Sequence, residues 1–305
     1  MNEVFISPSN IKSNSEISIT GSKSESNRLL IINALYSNIE LLNLSNSDDT
    51  KILTKALSNL DGQIDIHHAG TAMRFLTAFL AQIEDREFVI TGSARMQERP
   101  IGILVDSLNE LGFEVRYLGK KGFPPLKIIG KKNIKSEIKL NSTVSSQYIS
   151  ALMLIAPSLD NGLKIILEGQ IISKPYINLT LNILKKIGVK CSFKKNIIEI
   201  KNHSKSKISQ YTVESDWSSA SYFYSIVSLL DNATIILSSF FDNSFQGDSK
   251  LSKIYESFGV NTTYKENTIR LTKMENYSKP DSLEFDLLEN PDLAQTISIT
   301  ALCMG

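Results

Sequence analysis

One pattern recurs along this sequence and limits what it can fold into. Leu104–Tyr117 (LVDSLNELGFEVRY), Leu179–Phe193 (LTLNILKKIGVKCSF) and Leu251–Tyr264 (LSKIYESFGVNTTY) each place apolar residues at three- and four-residue spacing, then a glycine, then an alternating stretch. That order reads as an amphipathic helix, a stop and a strand. The stops are Gly112, Gly188 and Gly259, and a shorter relative, Leu53–Ile66 with Gly62, precedes them. β-rich pieces such as Lys127–Ile134, Leu163–Leu167 and Ile197–Ile200 lie between the helices. The chain is therefore expected to be α/β, built of repeated units of about 70 residues, too long for a solenoid repeat.

At 305 residues the chain exceeds the size at which a single core usually splits, so two domains are expected. No Gly/Ser or Pro tract marks a linker, and the Ser/Lys-rich stretch His203–Gln210 is the best boundary. Thirty-three basic residues against 32 acidic ones leave a net charge of +1. No global field then favours nucleic acid or an anionic membrane, and any anion must be held by a local cluster. Cys191 and Cys303 sit in apolar surroundings without CxxC spacing, and His67, His68 and His203 lack ligand spacing. Neither a disulfide framework nor a metal site is expected, and a reducing compartment fits. There is no basic-then-apolar leader, and no apolar run approaches the roughly 20 residues of a membrane span, so a cytoplasmic location is expected.

Seven of the 33 basic residues are Arg, and Arg28, Arg74, Arg95 and Arg99 fall in short polar segments. Arginine's planar fork suits carboxylate and phosphate. In Ser18–Arg28 (SITGSKSESNR) a short strand and Gly21 precede Lys23, Ser24 and Arg28, and the helix LLIINALYS is expected to follow. A helix start offers free N–H groups and the positive dipole end to an anion. This is not a Walker A loop, because the second glycine is missing. Ala69–Arg74 (AGTAMR) places Gly70 where a ligand can approach the backbone and Thr71 where it can cap a helix. Thr91–Pro100 (TGSARMQERP) puts two arginines on an expected loop. Val144–Tyr148 (VSSQY) opens the apolar stretch ISALMLIA, and Ser173–Tyr176 (SKPY) is expected just before a repeat helix. Each alone reads as a cap or turn; five together in a near-neutral chain read as an anion site.

These segments, with VESDWSSASYF at Val213–Phe223, QGD at Gln246–Asp248 and PDLAQT at Pro291–Thr296, resemble the 5-enolpyruvylshikimate-3-phosphate synthase family in order and spacing from end to end. The resemblance implies a two-domain inside-out α/β barrel of repeated βαβαββ units with its active site between the domains. Residues 21–212 would form the first domain, and 1–20 with 213–305 the second. The implied activity is transfer of the enolpyruvyl group of phosphoenolpyruvate to the 5-hydroxyl of shikimate 3-phosphate, by a monomer, without metal or organic cofactor, nucleic acid or membrane. By position, Lys23 would touch both substrates and Ser24 and Arg28 would hold shikimate 3-phosphate. Ser145, Ser146 and Ser173 would take its 3-phosphate, Gln147 would bridge to the second substrate and Tyr176 would close the pocket. Gly70, Thr71 and Arg95 would face phosphoenolpyruvate, and Asp292 would be the general base.

Two departures stand out. The family usually has Asn where this chain has His68. The family also continues beyond PDLAQT, with further catalytic and substrate-clamping residues. The second domain is accordingly expected to be incomplete, with little or no turnover, leaving a shikimate 3-phosphate-binding fragment as the alternative. A sister enzyme acting on a UDP-linked amino sugar is the other alternative, but its loop cysteine has no counterpart here. Gly70, in place of a bulkier residue, implies glyphosate sensitivity in a complete version.

Overall fold

The computed structural model describes Phe5 and residues 14–36, 38–141, 145–169, 171 and 174–305. The chain begins with β1 (Asn14–Ser18), α1 (Lys23–Tyr36), β2 (Glu40–Leu42) and α2 (Asp48–Ser58). A first full unit follows: β3 (Gln63–Asp65), α3 (Gly70–Ala81), β4 (Glu87–Thr91), α4 (Ala94–Gln97), α5 (Gly102–Leu111), β5 (Glu114–Tyr117) and β6 (Leu126–Ile129). A second comprises β7 (Glu137–Asn141), α6 (Ser146–Ile155), β8 (Leu163–Glu168), α7 (Lys174–Lys186), β9 (Cys191–Lys194) and β10 (Ile197–Ile200). After β11 (Gln210–Thr212) come α8 (Trp217–Ser228), β12 (Thr234–Ser238), α9 (Leu251–Ile254), β13 (Val260–Lys265), β14 (Thr268–Lys273) and α10 (Ala294–Met304).

The repetition read from the sequence is a repetition of sheets. Three four-stranded sheets run β3-β4-β6-β5, β7-β8-β10-β9 and β1-β12-β14-β13. In each, the first two strands are parallel and the other pairings antiparallel. A parallel pair demands a long crossover and an antiparallel pair can close by a hairpin: β3–β4 and β7–β8 cross over through α3 and α6, whereas the chain between β1 and β12 carries the whole first cluster. Gly112 ends α5 at φ 104°, a conformation open to glycine at no steric cost, and its N–H bonds back to Asn109 and Leu108. The Leu251–Tyr264 segment departs from the expected helix. It is α-helical only to Ile254 and then tightens to a 3₁₀ turn over Tyr255–Phe258, which packs both rings into the core 5.1 Å apart.

Helices occupy the interior and sheets the outside. Every residue of α3 is buried, as are nine of the ten residues of α6, whereas β7 alternates exposed and buried along its length. An all-round apolar helix is a core helix, and a strand alternating in exposure has one wet face. The buried apolar side chains form two clusters, one from Leu29 to Val213 and the other from Trp217 to Ile297. Two neighbouring backbone segments cross between them. Gly21 bridges Ser215, the Ser22 N–H donates to the Glu214 carbonyl at 2.8 Å, and the Asp216 N–H donates to the Thr20 carbonyl at 3.2 Å. Gly21 sits here because a Cβ would overlap the Asn43 carbonyl oxygen. Among the described residues no helix is long and apolar enough to cross a membrane.

Candidate functional site

The starts of α1, α7 and α8 line the cleft between the two clusters, and two buried arginines lie behind it. Arg28, 2% exposed on α1, donates from Nε to Thr180 Oγ1 at 2.7 Å, from Nη1 to the Ser24 carbonyl at 2.6 Å, and from Nη2 to Ser150 Oγ at 3.1 Å and the Tyr176 carbonyl at 3.4 Å. Its guanidinium carbon also lies 5.4 Å from the centre of the Phe75 ring on α3. One side chain thus ties α1, α6 and α7 together over α3. Arg74 does the same one helix away: it donates to the Gly70 carbonyl at 2.7 Å and lies over the Tyr148 ring at 5.5 Å. The sequence made these arginines candidate anion ligands; the structure places both beneath the floor, Arg28 committed to protein oxygens. Burial lowers the Arg28 pKa to about 10, and it stays charged at neutral pH. The buried Arg28 charge and the positive starts of α1 and α7 therefore give the same sign of field on this side of the cleft.

The cleft itself has a volume of about 380 Å³, and Lys23, Ser24, Tyr176, Asp216, Asp248 and Asp292 line it. Lys23 and Ser24 stand in the first turn of α1, which starts before the expected LLIINALYS because Ser26 N–H already bonds to the Ser22 carbonyl. Tyr176 likewise lies inside the first turn of α7 rather than ahead of it. From the other cluster Asp292, on the turn Pro291–Leu293, accepts the Tyr176 hydroxyl at 2.6 Å. Burial, and then Asp292, push the Tyr176 phenol well above its ordinary value, so it acts as a donor. Asp216 caps α8 through the Ser219 N–H at 2.9 Å and receives the Lys23 N–H at 3.4 Å. Asp248 accepts from Ser218 Oγ at 2.5 Å and Asn290 Nδ2 at 3.1 Å; burial raises its pKa against those bonds. Among the described residues Lys23 is the one cation lining this cleft, which the carboxylates of Asp216, Asp248, Glu289 and Asp292 also line. The site is polarised: positive helix starts on one side, carboxylates on the other.

A second cleft is lined by His68, Arg95, Met96 and Arg99. Arg95 belongs to α4, a helical turn capped by Ser93 where the sequence suggested loop. The Arg99 guanidinium lies so close on Gly70 that a Cβ there would overlap it. Thr71 is buried beside it in the first turn of α3. The start of α6 reaches the segment that carries Arg99. Ser145 caps it through the Gln147 N–H at 3.3 Å, Ser146 is buried, and the Tyr148 hydroxyl reaches the Pro100 carbonyl at 2.6 Å, next to Arg99. Gln147 Oε1 is buried without a hydrogen-bond partner, an uncommon state for a native polar atom. Ser173 lies outside the described residues.

Of the residues singled out from the sequence, Lys23, Ser24, Tyr176 and Asp292 line the first cleft and Arg95 lines the second, with Gly70 against Arg99. Arg99, Asp216 and Asp248 are not among the expected site residues. The signal for Arg99 was Gly70 itself, since a glycine at a helix start needs something close upon it. Behind the cleft Glu25 and Glu214 are both 2% exposed. Glu25 takes the Tyr211 hydroxyl at 2.7 Å, and burial raises its pKa to about 7. Glu214 accepts Trp217 Nε1, the Phe241 N–H and Ser244 Oγ at 2.8, 3.0 and 2.6 Å. Burial pushes the Cys191 thiol up to about 11, leaving it a poor nucleophile. No group of three or more His, Cys, Asp or Glu able to hold a metal occurs among the described residues.

Comparison with known proteins identifies the family. Residues 61–305 match the family model for EPSP synthase (3-phosphoshikimate 1-carboxyvinyltransferase). The chain is 46% identical over 306 residues to the 3-phosphoshikimate 1-carboxyvinyltransferase of Bacteroides fragilis, covering 100% of this chain and 73% of that protein. It is 35% identical over 321 residues to that of Colwellia psychrerythraea, covering 95% and 74%. Its fold superimposes on EPSP synthase from Acinetobacter baumannii with a TM-score of 0.80 at 18% identity, over 96% of this chain and 72% of that one. The inside-out α/β architecture and these matches place the chain in the EPSP synthase (3-phosphoshikimate 1-carboxyvinyltransferase) family.

Proposed function

We propose that the chain catalyses transfer of the enolpyruvyl group of phosphoenolpyruvate to the 5-hydroxyl of shikimate 3-phosphate, releasing phosphate. The observation that carries this is Asp292, brought by one cluster to the hydroxyl of Tyr176 on the other, over Lys23 and the helix starts. In this reading shikimate 3-phosphate occupies the cleft lined by Lys23 and Asp292, its phosphate toward Ser145 and Ser146, with Lys23 and Ser24 beside it. Phosphoenolpyruvate lies toward Gly70, Thr71, Arg95 and Arg99, with Gln147 between the two. Asp292 takes the proton of the 5-hydroxyl as that oxygen bonds to C2 and C3 gains a proton, giving a tetrahedral ketal. The C2–O bond to phosphate then breaks as the new methyl group loses a proton. Aligned proton transfer and cations fixed in advance lower both barriers. The chain is read as a cytoplasmic monomer acting on small molecules, with no nucleic acid or membrane partner.

The chain spans 73% of the relative's length, so the test separates binding from turnover. Calorimetry with shikimate 3-phosphate should show saturable binding; phosphate release with both substrates supports the full reaction, and binding without release leaves the shikimate 3-phosphate-binding fragment expected from the sequence. If neither substrate binds, the reading is wrong.

A further inference from the structure

The segment Gln246–Asp248 takes no part in the proposed reaction, yet it touches both sides of the Tyr176–Asp292 bond. Gln246, itself buried, fastens one end of the segment. Its Oε1 accepts the Trp217 N–H at 3.1 Å and its Nε2 donates to the Ser215 carbonyl at 2.8 Å. Gly247 then passes so near Pro175 that an added Cβ would lie 2.5 Å from the proline Cβ. Pro175 is the residue before Tyr176 in the first turn of α7.

Asp248, 8% exposed, reaches the other side. Its Oδ2 accepts from Ser218 Oγ on α8, and its Oδ1 accepts from Asn290 Nδ2. Asn290 is 2% exposed and opens the turn that bears Asp292. The Asn290 backbone is committed in both directions: its N–H donates to the Leu287 carbonyl at 2.9 Å, and its carbonyl accepts the Leu293 N–H at 3.1 Å. Its side chain makes no cap bond to the turn and goes to Asp248 instead. Pro291 has no N–H with which to add a bond of its own. The neighbouring Lys250–Glu289 pair, 2.6 Å apart, is solvent-exposed, and a pair of that kind contributes little. A buried hydrogen bond to a carboxylate is the stronger constraint.

We infer that Asp248 is a positioning residue for Asp292, holding the Pro291–Leu293 turn through Asn290 while Gly247 seats Pro175, and with it Tyr176, alongside. The inference rests on the reading of Asp292 as the base, but the placement can be measured without turnover.

The test is hydrogen exchange read by mass spectrometry on the 305-residue chain and its Asp248→Ala, Asp248→Asn, Asn290→Ala and Lys250→Ala variants. Rates of phosphate release are measured alongside. Asp248→Ala and Asn290→Ala remove the same bond from its two ends. Loss of a hydrogen bond to a charged group corresponds to about tenfold to a hundredfold faster exchange at residues 292–296. Asp248→Asn keeps an acceptor for Asn290 and should stay within about threefold of the parent, as should Lys250→Ala. Exchange in the wholly buried α3 should be alike in all, which checks that each variant is folded. For Asp248→Ala kcat should fall about tenfold to a hundredfold, with KM for shikimate 3-phosphate within about threefold, as for a base moved out of line. Unchanged exchange at the turn in both Asp248→Ala and Asn290→Ala overturns the inference. So does a KM for shikimate 3-phosphate that rises alike in Asp248→Ala and Asp248→Asn, since Asp248 would then bind the substrate itself. If the turn loosens as stated but the parent releases no phosphate, the placement stands and the assignment of turnover to this chain falls.

Discussion

The Tyr176 hydroxyl donates to Asp292 across 2.6 Å, joining a helix start of one cluster to a turn of the other. The bond does two things. It holds the carboxylate over the cleft, and it occupies one oxygen while leaving the other free. Asp292→Asn removes the proposed base but keeps the shape, so the rate of phosphate release should fall by about 100- to 10,000-fold with shikimate 3-phosphate affinity little changed. A variant with the parent's rate would remove Asp292 from the chemistry. Tyr176→Phe should instead weaken shikimate 3-phosphate binding, read by calorimetry.

Two glycines at the site should respond in opposite ways to an added methyl. At Gly21 a Cβ meets the Asn43 carbonyl, a backbone atom between two crossing segments that cannot move aside. Gly21→Ala should cost several kcal/mol in denaturant unfolding. At Gly70 the Cβ meets the end of the flexible Arg99 side chain. Gly70→Ala should leave the unfolding midpoint almost unmoved yet displace Arg99, lowering affinity for phosphoenolpyruvate several-fold. Equal losses of stability in the two variants would contradict this.

The contrast also shows what a linear reading can and cannot see. The units ended by Gly112 and Gly188 were visible because helix period, stop and strand alternation are local. The short polar motifs were visible because each begins a helix, where caps and dipole make a small vocabulary. The inward turn of Arg28 was not. Residues 25 to 32 of α1 are all buried, polar and apolar alike, so no amphipathic stripe marks which polar side chain supports the floor. Arg99 on Gly70, and Asp216 and Asp248 in one cleft with Lys23, are meetings of residues far apart in the chain. Nothing in their local spacing announces them.

Arg28 should be a stability residue as much as a substrate residue. Its guanidinium joins three helices through four hydrogen bonds. Arg28→Lys keeps a charge but cannot reproduce the fork, leaving Thr180 and Ser150 short of a donor. Unfolding in urea should show a loss of about 2–4 kcal/mol. A loss below about half a kcal/mol, with only ligand affinity affected, would mean that the network is incidental to the fold.

Glu25 should give the folded chain a measurable dependence on pH. Burial raises its pKa from an ordinary 4.5 to about 7, with Glu214 adding repulsion and the Tyr211 bond and Lys186 opposing the rise. A raised carboxyl holds its proton more tightly folded than unfolded. Below about pH 4.5 both states are protonated and no stability is lost. Between 4.5 and about 7 the unfolded chain ionises while the folded one keeps its proton, so stability falls as pH rises. Above about 7 the loss is complete and constant. Glu214 and Asp248, also raised by burial, slope the same way, so the difference between parent and Glu25→Gln isolates this group. Glu25→Gln cannot ionise and keeps an oxygen for Tyr211. Measured in urea across that range, its stability relative to the parent should rise with pH between 4.5 and 7 and then level off. A difference independent of pH would show that the Glu25 carboxyl ionises as freely in the folded protein as in the open chain.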